Sequence, residues 1–164
     1  MLISLPPEIF DPVVEQLHEG WETLEACSVV SKPWVPRTRR YLFARVKFTN
    51  EPSVESWVEA FPDPSDSPAH HTRNSWIRGT PGVIVTTTAA HAWFRTFYSI
   101  VRLTVETDTW DDTQTSLVPL HALSSTLRFF SLVRGSIPSS EILNFICSVP
   151  CLEDLSLVER SIPS

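Results

Sequence analysis

Three segments of this chain carry one pattern, apolar-x-x-apolar-x-apolar: Ile100-Leu103-Val105, Leu127-Phe130-Leu132 and Leu152-Leu155-Leu157, beginning at positions 100, 127 and 152. Each reads as a short strand with one buried face. Between the second and third, PSSEILNFICSVP predicts one helix, capped by Ser139 or Ser140, apolar along Ile142, Ile146 and Val149, and ended by Pro150. A strand-turn-helix unit of this kind has an apolar face that it cannot bury alone, so neighbouring units must stack.

The near-constant interval between the starts, in a unit of this order, resembles a leucine-rich repeat, whose period is roughly 20 to 29 residues. The tetrapeptide SIPS fits the same phase. It occurs as Ser136-Ile137-Pro138-Ser139 and as Ser161-Ile162-Pro163-Ser164, each time four positions after the last apolar strand residue, Leu132 or Leu157. It is expected as the turn leading into the helix of the unit. After the second copy the sequence stops, so the expectation is a shortened array whose last strand lies at an exposed end.

The segment 1–48 has a different texture. In LPPEIFDPVVEQLHEG, Ile9, Val13 and Leu17 recur at every fourth position, with Phe10 and Val14 widening the stripe, which predicts a helix. Pro6 and Pro7 suit its start, whereas Pro12 falls inside the stripe, removes a backbone donor and is expected to kink it. Gly20 marks a stop, and WETLEACSVVS predicts a second helix with Glu22 and Glu25 near its N-terminus, where the dipole favours them. Pro33 and Pro36 open a third, and Phe43, Val46 and Phe48 suggest an extended exit.

Between these two regions the signals are weaker. FPDPSDSPAHHTRNS, residues 61–75, concentrates Pro, Ser and Asp and is expected as loop. GVIVTTT from Gly82 is β-branched and reads as a strand, and AAHAWFRTFYSI as a helix. The expected organisation is therefore a helical module at 1–48, an irregular linker at 49–81 and a repeat array at 82–164. The fold class expected is α+β to α/β, three helices followed by a short solenoid of parallel strands with helices.

The N-terminal residues resemble an F-box, the three-helix module that docks onto the Skp adaptor of cullin-RING ubiquitin ligases. The resemblance rests on Leu5-Pro6-Pro7-Glu8-Ile9, Leu17, Leu24, Cys27, Val30-Ser31, Trp34 and Arg40-Tyr41-Leu42-Phe43. Followed by diverged leucine-rich repeats, this layout is similar to the F-box proteins abundant in mushroom-forming fungi. The resemblance implies a non-enzymatic substrate-recognition adaptor, with Leu5, Pro6, Ile9, Leu17, Leu24, Cys27, Val30, Trp34 and Leu42 as docking candidates. It implies a Skp-type adaptor, and through it a cullin, as partners, with a protein substrate held by the repeats. Three short helices also need apolar residues to hold one another together, so each candidate is open to a core role. The alternative is a structural or interaction protein, or an inactive fragment, that keeps the helical module for packing only; Pro12 motivates it.

Other chemistries find little support. Four Gly leave no Walker A, no GxGxxG and no GxSxG. The five His form no HExxH, and Cys147 and Cys151, four apart, lack the tight paired spacing of zinc ligands, so neither metal nor cofactor is expected. Asp108, Asp111 and Asp112 lack the EF-hand order, but with Trp110 they are a candidate substrate-facing loop. Charge is segregated: six acidic residues between Glu8 and Glu25, then six basic ones between Lys32 and Lys47, within a formal net charge of −6. The basic run RTRRYLFAR is small and the chain acidic, so no nucleic-acid partner is expected. Three sparse Cys without a secretory h-region suggest an intracellular setting, cytoplasm or nucleus, and no apolar run is long enough to span a bilayer.

Overall fold

The computed structural model describes residues 7–17, 20–30, 32–78, 94–107, 118–133 and 139–158. Leu5, Pro6, the strand expected from Gly82, the loop of Asp108, Trp110, Asp111 and Asp112, and both SIPS copies apart from Ser139 lie outside them.

Three helices open the chain: α1 (Pro7–Gln16), α2 (Trp21–Val30) and, after a 3-10 turn at Lys32–Trp34, α3 (Val35–Leu42). Helix α1 runs through Pro12 to Gln16. The missing amide costs it one bond, to the carbonyl one turn earlier, and Pro12 is exposed. Val14, Leu24 and Leu42 form a small core here, with Leu17, Trp34, Tyr41 and Phe43 packed against it. An ion pair joins Arg37 to Asp11 across α3 and α1.

Five strands follow, β1 (Arg45–Phe48), β2 (Asn74–Arg78), β3 (Arg102–Glu106), β4 (Phe129–Val133) and β5 (Asp154–Val158), in one parallel sheet whose spatial order equals the chain order. The protein is thus mixed α/β. Each strand pairs in register with the next, Arg45 with Asn74, Asn74 with Arg102, Arg102 with Phe129 and Phe129 with Asp154. The step into every new strand is built alike. The carbonyl of Ala44 accepts from the amides of Arg73 and Asn74, that of Arg73 from Val101 and Arg102, that of Val101 from Arg128 and Phe129, and that of Arg128 from Glu153 and Asp154, all at 2.8 to 3.1 Å. Four identical junctions make the sheet a true structural repeat.

The three strands expected from the apolar pattern are β3, β4 and β5. Two further strands precede them, and they correct the expected organisation. Residues 49–81, expected as an irregular linker, hold helix α4 (Glu51–Ala60) and β2, while β1 lies inside the range expected for the helical module. The segment 61–75 is loop and turn up to Arg73, as expected, with Pro62 to Asp66 exposed; its second part is packed, with Ser67, Pro68, Ala69 and Thr72 buried around a 3-10 turn at Pro68–His71. A capping box starts α4, with Asn50 accepting from the Ser53 amide and the Ser53 hydroxyl accepting from the Asn50 amide.

One face of the sheet carries the main core. The row Val46, Ser75, Leu103, Phe130, Leu155 stacks beside Phe48, Ile77, Val105, Leu132, Leu157. Over them lie Val54 and Trp57 of α4, then Phe94 and Phe97, Leu120 and Leu123 of a 3-10 segment (Val118–Leu123), and Ile142 and Phe145 of α5 (Ser139–Ser148). The helix expected to reach Ile100 does not continue beyond Phe94. Turn bonds from Phe97 to Phe94 and from Ile100 to Phe97 replace it, and their step of three points all three side chains inward.

Candidate functional site

Two surfaces concentrate features that folding alone does not require. The first is on the helical module. Its own core uses up Leu24 and Leu42, 1% and 7% exposed, so these two docking candidates hold helices together and are withdrawn from the surface. Leu17 and Trp34 are half-buried against the same core, and Cys27 is half-buried. Ile9 remains open at 49%, and Val13, Trp21 and Val29 are exposed as well. Val30 lies at the last position of α2. The helices therefore separate into an inner set, Val14, Leu24 and Leu42, and an outer apolar set that nothing among the described residues covers.

The second surface is the solvent face of the sheet. Side chains alternate along a strand, so once Val46 and Phe48 point inward, Arg45 and Lys47 must point out. By register, Asn74 and Trp76 of β2 and Arg102 and Thr104 of β3 stand beside them. These residues line a shallow depression of about 240 Å³. The Lys47 ammonium sits 4.0 Å from the centre of the Trp76 ring, and the Arg102 guanidinium 4.7 Å from that of Phe129 on β4. Further along the same face Arg78 pairs with Glu106, its register neighbour, at 3.9 Å. Arg128 and Glu153 form an ion pair at the entry to β4 and β5. Among the described residues, Arg45, Lys47 and Arg102 have no carboxylate partner. A cationic and aromatic patch thus occupies β1 to β3 in a chain of negative net charge.

Sequence reasoning missed this patch. Arg45 and Lys47 were legible only as the end of a basic run, and Trp76 belongs to a strand that the apolar pattern did not reveal.

Titratable groups elsewhere do not converge. No group of three or more His, Cys, Asp or Glu among the described residues could hold a metal ion. Cys147 and Cys151 do not share a helix, because α5 ends at Ser148; both are exposed free thiols, and Cys27 is also free. His70 and His71 lie with ring centres 3.8 Å apart and ring planes tilted by 53°, in the 3-10 turn beside α3. Burial lowers the pKa of His71, aided by the neighbouring charges of His70, Arg40, Arg39 and Arg73. No described helix is long and apolar enough to cross a membrane.

No protein-family model, curated protein or solved structure matches this chain.

Proposed function

We propose that this protein is a non-enzymatic substrate-recognition adaptor of a Skp-cullin-F-box ubiquitin ligase. Its helices α1 to α3 would be an F-box that docks on a Skp-type adaptor, and its sheet a short leucine-rich-repeat array that holds a protein substrate. Such a protein works inside the cell, in cytoplasm or nucleus.

The observation that carries the reading is the division of labour within the helical module. It has a core separate from that of the sheet, yet leaves Ile9, Val13, Trp21 and Val29 exposed. Burying a Val, Leu or Ile side chain is worth about 1.5–3 kcal/mol, so a chain folding only for itself would gain by covering them. A module that presents an apolar face to a helical partner has reason to leave them open. The ordered sequence match from Leu5 to Phe43 supports the same assignment. The repeat reading is supported by in-register strands that begin at near-even intervals, at Arg45, Asn74, Arg102, Phe129 and Asp154.

The test is co-elution of the purified chain with a Skp-type adaptor, and its loss when Leu5 and Ile9 are both replaced by Asp. A folded native chain that binds no such adaptor would overturn the assignment and leave the structural reading, in which α1 to α3 serve packing alone.

A further inference from the structure

We infer that the depression on β1 to β3 binds an extended acidic segment of a partner protein, its carboxylates meeting Arg45 and Arg102 and one of its side chains resting on Trp76. The inference names the class of substrate for the sheet and rests on the adaptor reading only in calling that partner a substrate.

The argument begins with charge. Three cations without carboxylate partners among the described residues, Arg45 and Lys47 on β1 and Arg102 on β3, flank β2 on one face of a protein whose formal charge is −6. Like charges this close on one face repel one another, and none of them is neutralised by a carboxylate there. An anionic ligand reverses that sign. Geometry narrows the ligand further. Arg45 and Arg102 occupy one register row, either side of Asn74, and two inter-strand spacings span about 9.6 Å. In an extended peptide, carboxylates at alternate positions lie roughly 6.6 Å apart, a step that long arginine side chains accommodate on both flanks of Asn74. Each guanidinium can then take a carboxylate through paired N–H donors.

The cations are also held in place. Lys47 lies over Trp76 and Arg102 over Phe129, which limits the side-chain freedom that binding would otherwise remove. Trp76 itself is 40% exposed, and Thr104 and Asn74 beside it supply hydroxyl and amide groups for a peptide backbone. Trp and Arg together are the side chains that most often anchor protein interfaces. A nucleic acid fits less well. Strong phosphate binding draws on some six to ten contacts, whereas this patch offers three cations.

The experiment is fluorescence anisotropy on the full chain with three labelled probes: a decapeptide bearing Glu at alternate positions around a central Leu, the same peptide with Gln in place of Glu, and a single-stranded twelve-nucleotide RNA. The acidic peptide should bind at least tenfold more tightly than either other probe and weaken as salt rises. Arg45→Glu with Arg102→Glu should abolish this preference, Trp76→Ala should weaken the acidic peptide several-fold, and Arg95→Glu, an exposed site away from the depression, should change nothing. Circular dichroism establishes that each variant is folded, and the milder Arg45→Gln replaces the double variant if that one is not. Equal binding of the two peptides, tighter binding of RNA, or an equal effect of Arg95→Glu overturns the inference. Because no Skp-type adaptor is present, failure here is distinct from failure of the docking assignment.

Discussion

Phe43, the residue that ends α3, meets Trp57 of α4 edge to face, with ring centres 5.6 Å apart. Trp57 also contacts Phe48 at 5.7 Å, Phe61 at 5.0 Å and Phe97 at 5.7 Å, so one indole ties the helical module to the first two turns of the sheet. Its Nε1–H is buried without a hydrogen-bond partner among the described residues. The two properties predict effects of different size for two substitutions. Trp57→Ala leaves a cavity in the aromatic cluster and should cost about 3–5 kcal/mol in urea unfolding. Trp57→Phe keeps most of the ring contacts and removes the unsatisfied donor, so it should cost less than about 1.5 kcal/mol.

Thr72 is fully buried, and its hydroxyl likewise lacks a partner. It occupies the position of Ile100, Leu127 and Leu152 in the later turns, with extended backbone at φ −70° and ψ 122°, which a β-branched residue adopts freely. Thr72→Val exchanges an unpaired hydroxyl for a methyl of similar size. It should stabilise the chain by about 1 kcal/mol and raise the melting temperature by roughly 2–4 °C, readable by thermal unfolding.

The same residue explains how far the fold was legible. Ile100, Leu127 and Leu152 announce β3, β4 and β5 because each unit presents three apolar letters at fixed spacing. In β2 the corresponding letters are Thr72, Ser75 and Ile77, and both polar ones are buried, so the pattern is kept in space but broken in sequence. For β1 the extended exit was legible in Phe43, Val46 and Phe48, but their place at the end of a helix hid that they share the spacing of the repeat. Helix α4 is missed by the expectation of an irregular linker at 49–81, although Asn50, Pro52 and Ser53 suit a helix start and Val54, Trp57 and Val58 stand at helical spacing. The division of the docking candidates into inner Leu24 and outer Ile9 was not legible, because apolar periodicity marks a stripe and not which part of it a neighbour will cover. The cationic patch was hidden for a related reason, since which of Arg45, Val46 and Lys47 face out depends on the sheet that forms beneath them.

His71 supplies a dependence on pH. Burial, then the charges of His70, Arg40, Arg39 and Arg73, disfavour its protonation in the folded chain and lower its pKa. The unfolded chain therefore binds more protons once pH falls below the ordinary histidine value of about 6.5, and stability declines with falling pH until the folded-state value is passed. Above that window the contribution is complete. His71→Gln should flatten this part of the profile, seen as a smaller difference in urea midpoint between about pH 7.5 and 5.5 than in the native chain.

Stability and surface should separate cleanly within the helical module. Leu24 contacts the small core of Val14 and Leu42 and is 1% exposed, so Leu24→Ala removes packing that two other large side chains depend on. Such a truncation should cost about 2–5 kcal/mol and increase amide hydrogen exchange through α1 to α3. Val29, on the same helix and 82% exposed, has little to lose, and Val29→Ala should fall within about 0.5 kcal/mol of the native chain. Because the sheet has its own core, exchange in β3 and β4 should stay slow in the Leu24 variant even as the helices open. Equal acceleration throughout would instead mean that the two cores unfold as one cooperative unit, with the aromatic cluster around Trp57 as the coupling.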